Sequence, residues 1–249
     1  CARNTGAYAR VRKQFKTPIG KFEGVEEKLA NIAGQSYALE AARGITAASV
    51  DAGEKPSVIS ALLKYESTER MRSVVNDAMD IHGGRAICEG PSNYLSNAYQ
   101  FVPVSITVEG ANILTRTLIV FGQGAIRCHP WLLKEMEAAA EADRGAAVRA
   151  MDRAIGGHIR HVLANLSRAT FHNLTGGRFA SAPSAASAET RHWYRQLTRA
   201  SASFAIAADF AFLSLGGALK RKEKLSGRFA DALAELYLSS CVLKRFEDD

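Results

Sequence analysis

Apolar residues recur at helical spacing along almost the whole chain, and runs that alternate with period two are nearly absent. One stripe contains Val25, Leu29, Ile32 and Leu39, with small residues between them. This spacing predicts a helix over about residues 22–50, because residues three and four apart share one helix face.

A second long helix follows a short break. The segment 51–56, Asp-Ala-Gly-Glu-Lys-Pro, contains the helix breakers Gly53 and Pro56 and predicts the end of the first helix. We expect Ser57 to cap the next helix and Gly83-Gly84 to end it. Its apolar stripe consists of Ile59, Leu62, Leu63, Met71, Val74, Val75 and Met79. Two helices of about 25 residues with a short connection are expected to pack antiparallel.

Residues 85–108 have a different character. They contain Gly90-Pro91, several Ser and Asn residues, and Pro103, with a short β-like run at 105–108. This composition predicts a long irregular excursion, and such segments are more often functional than connective. A further helix is expected from about Glu109 to Cys128.

Beyond Pro130 the chain becomes alanine-rich, and a Gly/Ser/Ala/Pro stretch at 176–187 predicts a mobile loop. The helices expected here cover about 131–142, 145–172, 188–218 and 225–246. A domain boundary is expected near 128–131. The pattern therefore predicts an all-α fold: an antiparallel helical bundle over residues 1–128, followed by a second helical extension over residues 129–249.

Both ends of the sequence indicate a piece of a longer polypeptide. Residues 1–17 are typical of a helix already in progress, contain five basic residues, and have no apolar core of a signal peptide. The last residues, 244–249, break off without a stop signal. We therefore expect the first domain to be incomplete at its N-terminus and the extension to be truncated.

The chain is basic, with 32 Lys and Arg against 25 Asp and Glu, a net charge of +7. The excess is spread almost evenly, and its densest cluster is residues 220–224. A solvated helix end that complements the helix dipole is the favoured interpretation of this cluster, and attraction to anionic lipid is the alternative. Aromatic and basic residues are not interleaved, so nucleic acid is ranked last and is not expected as a partner.

The four cysteines lie far apart and form no C-x-x-C pair, which is typical of buried thiols in a reducing compartment. The most apolar window, about 16 residues over 204–219, contains Asp209 and falls short of the roughly 20 needed to span a bilayer. A core helix is the favoured interpretation. A cytoplasmic location is expected.

Few residues point to chemistry when they are taken alone. His158 and His161 stand three apart on a predicted helix, but no carboxylate or cysteine lies at ligand spacing beside them. We therefore expect surface or interface histidines and no metal site. The G-x-S-x-G, P-loop, G-x-G-x-x-G and zinc signatures are absent, which removes the common hydrolase and nucleotide-binding motifs.

Glu109 stands out among the acids. It follows the β-like run Ile106-Thr107-Val108 and precedes Gly110, where a backbone without a side chain lets a ligand approach closely. From the residues alone, an acid in a first helical turn that complements the helix dipole is the favoured interpretation. A catalytic carboxylate is the alternative.

Three sequence motifs favour the catalytic interpretation of Glu109 over the structural one. They are Arg-Lys-Gln-Phe at 12–15 with Ile19 and Phe22, Asp-Ile-His-Gly-Gly at 80–84, and Val-Glu-Gly-Ala-Asn-Ile-Leu-Thr-Arg at 108–116. In motif, order and separation they resemble the C-terminal all-helical domain of the acyl-CoA dehydrogenases over about residues 1–128. The rest of the chain, residues 129–249, resembles the helical extension of the large bacterial members that act on medium- and long-chain acyl-CoA in fatty-acid β-oxidation. The sequence motif at 122–130 is also similar to that subgroup.

This resemblance implies FAD-dependent α,β-dehydrogenation of acyl-CoA to trans-2-enoyl-CoA. It implies that Glu109 is the base that removes the α-proton, with Gly110 beside the substrate. Arg12 and Phe15 would contact the FAD of a neighbouring subunit, the former through the pyrophosphate. Gly83 and Gly84 would bring bare backbone close to the same cofactor.

Three residues depart from the family pattern: Lys16 replaces a usual glycine, Asp80 a usual glutamine, and Ala111 a usual threonine. Asp80 would repel the flavin pyrophosphate unless Arg12 or another cation compensates. Arg116 lies two helical turns after Glu109 and is expected to support the site or a subunit contact rather than to perform chemistry.

The resemblance also implies partners: an acyl-CoA substrate, electron-transfer flavoprotein as electron acceptor, and further copies of the chain in a homo-oligomer. Peripheral contact with the inner face of the bacterial inner membrane is a further expectation. The 249-residue chain is expected to be inactive alone and not to hold FAD alone. The alternative function is a non-catalytic helical interaction or membrane-docking module, drawn from residues 129–249 and the basic cluster.

Overall fold

The computed structural model describes all of residues 1–249, which form two compact units, Cys1–Ile113 and Leu114–Asp249. Both units are helical, and the only β-structure is a hairpin with two residues in each strand. The all-α prediction is therefore confirmed. The units divide earlier in the chain than the boundary expected near 128–131.

Unit 1 contains five helices and the hairpin, and a short sixth helix crosses into unit 2. In chain order they are α1 (Ala2–Val11), β1 (Lys13–Gln14), β2 (Thr17–Pro18), a 3₁₀ turn (Ile19–Lys21), α2 (Glu23–Asp51), α3 (Ser57–His82), α4 (Gly84–Ile87), α5 (Ser96–Thr107) and α6 (Asn112–Leu114).

The two long helices predicted from the apolar stripes are confirmed as α2 and α3. Lys28 pairs with Asp77 at 2.6 Å, and Gln35 pairs with Arg70 at 2.6 Å. A higher residue number on α2 therefore faces a lower residue number on α3. The helices are therefore antiparallel. The Ser57 cap is wrong: Ser57 is already helical, and Pro56, which has no side-chain acceptor, stands at the capping position.

The core of unit 1 forms where α1, α2 and α3 meet. It consists of Ala9, Ile19, Ile32, Val74, Ala78, Ile81, Ala86 and Leu95, each at most 9% exposed. A second cluster joins Val75 of α3 to Val102 and Ile106 of α5. Burial of these side chains fixes α1 and α5 on the α2–α3 pair.

The irregular excursion expected over 85–108 is wrong for its second half, which is helix α5. Pro103 lies inside this helix, where it lacks the N–H for one backbone hydrogen bond. The helix persists because Val102 and Ile106 are buried. The β-like run at 105–108 is therefore also wrong: Ser105 and Thr107 bond back to helix carbonyls through their hydroxyls.

Unit 2 is built from a broken first helix and four longer ones. After α6 come a π-helical segment (Thr115–Gln123), α7 (Gly124–Cys128), α8 (Leu132–Ala140), α9 (Arg144–Leu174), α10 (Arg191–Leu215), a 3₁₀ turn (Gly216–Arg221) and α11 (Glu223–Asp248). These agree with the helices predicted beyond Pro130. The helix expected from Glu109 begins instead at Asn112.

Aromatic rings form the centre of unit 2. Phe121 of the π-helical segment stacks on Phe229 of α11 at 4.5 Å and on Phe212 of α10 at 5.7 Å, measured between ring centroids. Phe204 meets Phe121 edge-on at 6.1 Å. Phe121 is 2% exposed. The π-helical segment therefore places a large ring in the core of unit 2.

Trp131, the residue before α8, makes a tight contact with α9. The ring of Trp131 lies over Gly157, where an added Cβ would stand 2.2 Å from the ring carbon Cη2. Gly157 is buried, whereas the preceding Gly156 is exposed and has open space around it. A residue without a side chain at 157 is therefore required for this approach.

One sequence expectation about the loop of unit 2 stays a prediction, and one about the cysteines is wrong. The segment 176–187 is a loop, as expected, and it is hydrogen-bonded: the Ser187 amide donates to Glu247 at 3.1 Å, and Thr198 donates to the Ser181 carbonyl at 3.0 Å. Its mobility stays a prediction. Hydrogen bonds from Thr190 and Ser187 hold the pKa of Glu247 below its usual value. Of the four cysteines only Cys241 is buried.

The apolar window expected to be a core helix is buried on one face only. Ala208, Asp209 and Ala211 are buried, but Phe210 is 68% and Leu213 86% exposed. The helix and the turn after it, Arg191–Arg221, have a mean hydropathy of 1.6 over their most apolar window, enough by length and composition for a membrane span, and 22% of that window is buried.

Candidate active site

Glu109 lies in the turn between α5 and α6. Helix α5 ends at Thr107, Val108 is extended, and Glu109 and Gly110 both take left-handed backbone, with φ of 54° and 92°. This conformation is natural for glycine and costs a residue with a Cβ about 1–2 kcal/mol. The Glu109 side chain is exposed, and its N–H makes no backbone hydrogen bond. Strain at an exposed acid is typical of functional sites.

Lys64 of α3 holds this turn in place. Its ammonium group donates to the Gly110 carbonyl at 2.7 Å, to the Asn112 side chain at 2.8 Å and to the Ile106 carbonyl at 3.3 Å. Asn112, 3% exposed, donates in turn to Thr68 at 2.8 Å and to Glu69. The turn that carries Glu109 is therefore fixed to a long helix by charge-assisted hydrogen bonds.

Lys64 could not be singled out from the sequence. It stands beside the apolar stripe of α3, at a position where lysine is normally a solvated side chain whose stem covers apolar surface. Its acceptors lie more than 40 residues away along the chain. No local pattern distinguishes such a lysine.

Arg12 and Phe15 lie on the hairpin at the end of α1. Arg12 is exposed, and its guanidinium makes no ion pair or hydrogen bond. Phe15 is 90% exposed and, with Lys16, forms the two-residue hairpin turn at φ of 49° and 65°. The left-handed backbone explains why glycine is usual at the position of Lys16. The free guanidinium can pair with a phosphate, and the exposed ring of Phe15 is available for packing against a ligand.

Gly83 and Gly84 form the sharp turn from α3 into α4. Gly83 has φ of 57° and ψ of −137°, and a Cβ at either glycine would meet nothing within 4 Å. Both residues are exposed, so a ligand has free access to their backbone. The expected end of α3 at these glycines is confirmed.

His82 joins this glycine turn to α1. It is 4% exposed, bonds to the Ala78 carbonyl at 2.7 Å and to the Tyr94 hydroxyl, and stacks on Tyr8 at 4.1 Å. Burial lowers the pKa of His82 below its ordinary value, so the ring is neutral at neutral pH. Because Tyr8 lies one turn before Arg12, this contact brings the end of α1 towards the glycine turn.

Lys28 supplies the compensating cation for Asp80. It lies 3.8 Å from the Asp80 carboxylate and 2.6 Å from that of Asp77. The hydrogen bond to Asp77 raises the pKa of Lys28 above its ordinary value. The position that departs from the family pattern therefore has a cation beside it, although that cation is not Arg12.

The structure leaves these expected site residues in two groups within unit 1. No hydrogen bond, ion pair or ring contact links Glu109 to Arg12, Phe15 or the Gly83-Gly84 turn. One group presents an anchored acid, and the other presents a free guanidinium, an exposed ring and open backbone. That the second group serves a neighbouring subunit stays a prediction.

Two further expectations concern unit 2. Arg116 forms a two-pronged ion pair with Asp231, with Nε 2.6 Å from Oδ1, and lies against Gly227, so its guanidinium is engaged within this unit. His158 and His161 do have carboxylates beside them, which sequence spacing did not reveal. Glu135 and Asp209 come from other helices.

Known family models match nearly the whole chain. Residues 1–122 match the model "Acyl-CoA dehydrogenase, C-terminal domain", and residues 126–249 match "Acyl-CoA dehydrogenase, C-terminal, bacterial type". The crystal structure of an acyl-CoA dehydrogenase complexed with FAD from Bacillus anthracis has the same fold, with a TM-score of 0.70 and 18% identity. The match covers 98% of this chain and 39% of that one.

Similar curated proteins match less than half of the chain. A 3-(aryl)acrylate reductase from Clostridium sporogenes is 33% identical over 112 residues, which are 45% of this chain and 29% of the relative. The acyl-CoA dehydrogenase IpdE2 from Mycolicibacterium smegmatis is 32% identical over 87 residues, 35% of this chain and 26% of the relative. The chain thus spans under a third of the length of these relatives.

The two adjoining family matches agree with the order of the motifs, the anchored acid and the helical fold. The chain therefore belongs to the acyl-CoA dehydrogenase family of FAD-dependent oxidoreductases, of which it carries the C-terminal helical domain and the bacterial-type C-terminal region.

Proposed function

We propose that this chain supplies the catalytic base and part of the flavin site of an enzyme that converts medium- or long-chain acyl-CoA to trans-2-enoyl-CoA in fatty-acid β-oxidation. The observation that carries the proposal is Glu109, an exposed carboxylate in a strained turn that Lys64 anchors. The medium- and long-chain assignment rests on the resemblance of residues 129–249 to the extension of the large bacterial members.

Glu109 removes the α-proton of the acyl-CoA. A carbon acid next to a thioester is weakly acidic, so the carboxylate has to be close, oriented and shielded from water. Lys64 fixes the backbone from which the carboxylate extends, and Gly110 leaves room for the thioester. The N–H of Glu109 makes no backbone bond and is available to donate to the thioester oxygen as negative charge develops there.

Arg12 would hold the pyrophosphate of FAD, because a guanidinium pairs bidentately with phosphate and stays charged. Phe15 would pack beside the cofactor, and the open backbone of Gly83-Gly84 would allow close approach. The bound flavin would supply the hydride acceptor for the β-hydrogen. Lys28 offsets the charge of Asp80 at this edge.

The test is Glu109→Gln in the full-length protein that contains this chain. We expect flavin to remain bound, with an unchanged absorbance spectrum, and turnover of acyl-CoA to be abolished, because the amide cannot accept the α-proton. The matched control is Glu54→Gln, another exposed glutamate in a turn between helices, which should leave turnover unchanged. Retained activity in Glu109→Gln would refute the assignment.

The reverse reaction is a second candidate for the same site. The relative from Clostridium sporogenes is named a reductase of 3-(aryl)acrylate, whose double bond is also conjugated with a carbonyl group. In that direction Glu109 would deliver a proton to the α-carbon instead of removing it. Assays of saturated and 2,3-unsaturated acyl-CoA with the full-length protein, across chain lengths, distinguish the two directions.

Membrane docking is a candidate for a second role, carried by unit 2. One face of α9 exposes large apolar side chains, each 44–58% accessible: Val148, Ile155, Ile159, Leu163 and Leu166. The same helix carries five arginines and one acid. Exposed apolar residues flanked by arginine favour an anionic lipid surface.

We also propose the partners and location that accompany this activity. The enzyme would pass electrons to electron-transfer flavoprotein, form a homo-oligomer, and work in the cytoplasm, at times on the inner face of the inner membrane. The oligomer rests on the family resemblance, in which each subunit completes a neighbour's flavin site.

A further inference from the structure

Arg85 is an exposed arginine at the edge of the Gly83-Gly84 turn. It is the residue directly after that turn and lies on the short helix α4. Its guanidinium makes no ion pair and no hydrogen bond within the chain. A ligand that approaches the bare backbone of the turn therefore comes within reach of a free, permanently charged side chain.

The Arg85 guanidinium lies against an aromatic ring. Its central carbon, Cζ, is 6.0 Å from the centre of the Tyr8 ring on α1. A cation above a ring is attracted by the ring face and gives up none of its N–H donors. Burial, and after it the charge of Arg85, lower the pKa of His82, which stacks on the same tyrosine. The surroundings of the guanidinium on this side are therefore neutral.

The backbone that carries Arg85 is held in place. The next residue, Ala86, is 2% exposed and belongs to the core of unit 1. The side chain of Asn93 donates to the Ala86 carbonyl at 2.7 Å and to the Cys88 carbonyl at 3.1 Å. Because its backbone is fixed before a ligand arrives, Arg85 loses less entropy on binding than an arginine in a free loop.

The acids on either side of Arg85 in the chain are engaged elsewhere. Glu89 accepts hydrogen bonds from two side chains of α5, at 3.1 and 3.2 Å. Asp80 lies 3.8 Å from Lys28 of α2. A cation that neither neighbouring acid neutralises favours an anion from outside the chain.

Tyr8 also links Arg85 to the other free guanidinium of this region. Arg12 lies four residues after Tyr8, and its N–H donates to the Tyr8 carbonyl at 2.8 Å. Arg12 and Arg85 thus both contact Tyr8, although they belong to segments more than 70 residues apart. Both are exposed, and both stay charged at neutral pH.

We propose that Arg85 is a second phosphate-binding residue of the flavin site and that it shares the pyrophosphate of FAD with Arg12. This inference rests on the proposed function, which assigns the Gly83-Gly84 turn and Arg12 to the cofactor. A pyrophosphate has two phosphoryl groups, and each can accept a two-pronged pair of N–H bonds from one guanidinium. The absence of a Cβ at Gly83 and Gly84 leaves the space in which the pyrophosphate would meet Arg85.

The test is the affinity of the flavin-free full-length protein for FAD, followed by flavin fluorescence. Arg85→Met should weaken FAD binding at least about tenfold, the effect of a lost hydrogen bond to a charged group. Arg85→Lys, which keeps the charge and loses the two-pronged geometry, should fall between Arg85→Met and wild type. Added salt should weaken FAD binding less in Arg85→Met than in wild type, because one ionic contact has been removed.

The matched control is Arg10→Met. Arg10 is exposed and lies on α1 two residues after Tyr8, so it does not share the helix face of Tyr8. The change removes the same charge and should leave FAD affinity unchanged. Urea unfolding of the flavin-free proteins separates binding from folding: Arg85→Met should match wild type, whereas a structural role would lower its stability.

An Arg85→Met variant that binds FAD as tightly as wild type would overturn this inference, even where Glu109→Gln abolishes turnover as expected. Equal losses of affinity in Arg85→Met and Arg10→Met would overturn it as well, because net charge alone would then explain the effect. A wild-type full-length protein that binds no FAD would overturn the proposed function together with this inference.

Discussion

Lys16 and Glu109 are charged residues with left-handed backbone, at φ of 65° and 54°, but the structure gives them different surroundings. Lys16 stands in an exposed hairpin turn with no side-chain partner, whereas the turn of Glu109 is bonded to α3 through Lys64. The first position therefore has strain that nothing offsets, and the second has strain that a hydrogen-bond network maintains.

Lys16→Gly is expected to stabilise the chain by about 0.5–1 kcal/mol. Glycine relieves the left-handed cost of about 1–2 kcal/mol and loses about 0.5–1 kcal/mol to its greater freedom in the unfolded chain. The measurement is urea unfolding followed by circular dichroism. The control Lys13→Gly, in the extended strand next to the turn, should destabilise instead. A Lys16→Gly chain no more stable than wild type would contradict the left-handed assignment.

Lys64→Met is expected to lower kcat of the full-length protein at least about tenfold, because small displacements of a catalytic group are costly. The change leaves the Gly110 and Ile106 carbonyls and the buried Asn112 without their donor, a loss of about 1–3 kcal/mol in stability. Flavin content should be unchanged. Lys55→Met, at an exposed lysine between helices, serves as control, and equal kcat in both variants would contradict the positioning role.

Residue types and order were enough to single out Glu109, but not its surroundings. Its neighbour Gly110 and the motif at 108–116 were visible locally. Lys64 and Asn112 join positions 48 residues apart, and His129 meets Asp209 80 residues away. Such pairs depend on how helices pack, which no local spacing records.

At the scale of elements, the packing of α8 on α9 depends on Gly157. Gly157→Ala is expected to destabilise the chain by about 1–3 kcal/mol, because the new methyl group would overlap the ring of Trp131. Gly156→Ala, its exposed neighbour with open space, should stabilise the helix by up to about 1 kcal/mol. Thermal unfolding of the two variants provides the comparison. Opposite signs are expected, and equal effects would contradict the Trp131 contact.

The long helices were predictable because their apolar stripes persist over many turns, as in α2 and α3. Helix α5 was missed because Pro103 suggested a break, whereas burial of Val102 and Ile106 outweighs the lost hydrogen bond. The hairpin was missed because two-residue strands have no measurable period. The π-helical turn around Phe121 likewise leaves no local signature, since it follows from ring packing.

At the scale of the whole molecule, the proposed membrane role predicts salt-sensitive binding to vesicles. The full chain should co-sediment with vesicles rich in phosphatidylglycerol and not with phosphatidylcholine alone, because the net charge is +7 and α9 is rich in arginine. Ile159→Glu, on the exposed apolar face, should weaken binding. The control Glu26→Gln is distant in sequence and exposed. Equal sedimentation with both lipids would contradict the docking role.

At position 109, folding stability and catalytic activity favour different residues, because of the left-handed backbone of Glu109. Glycine or asparagine would fit its left-handed backbone with less strain, yet neither can accept a proton. A screen that rewards only resistance to heat would therefore enrich inactive chains at this site. A glutamate kept at this unfavourable backbone conformation would then be explained by its function and not by its effect on folding stability.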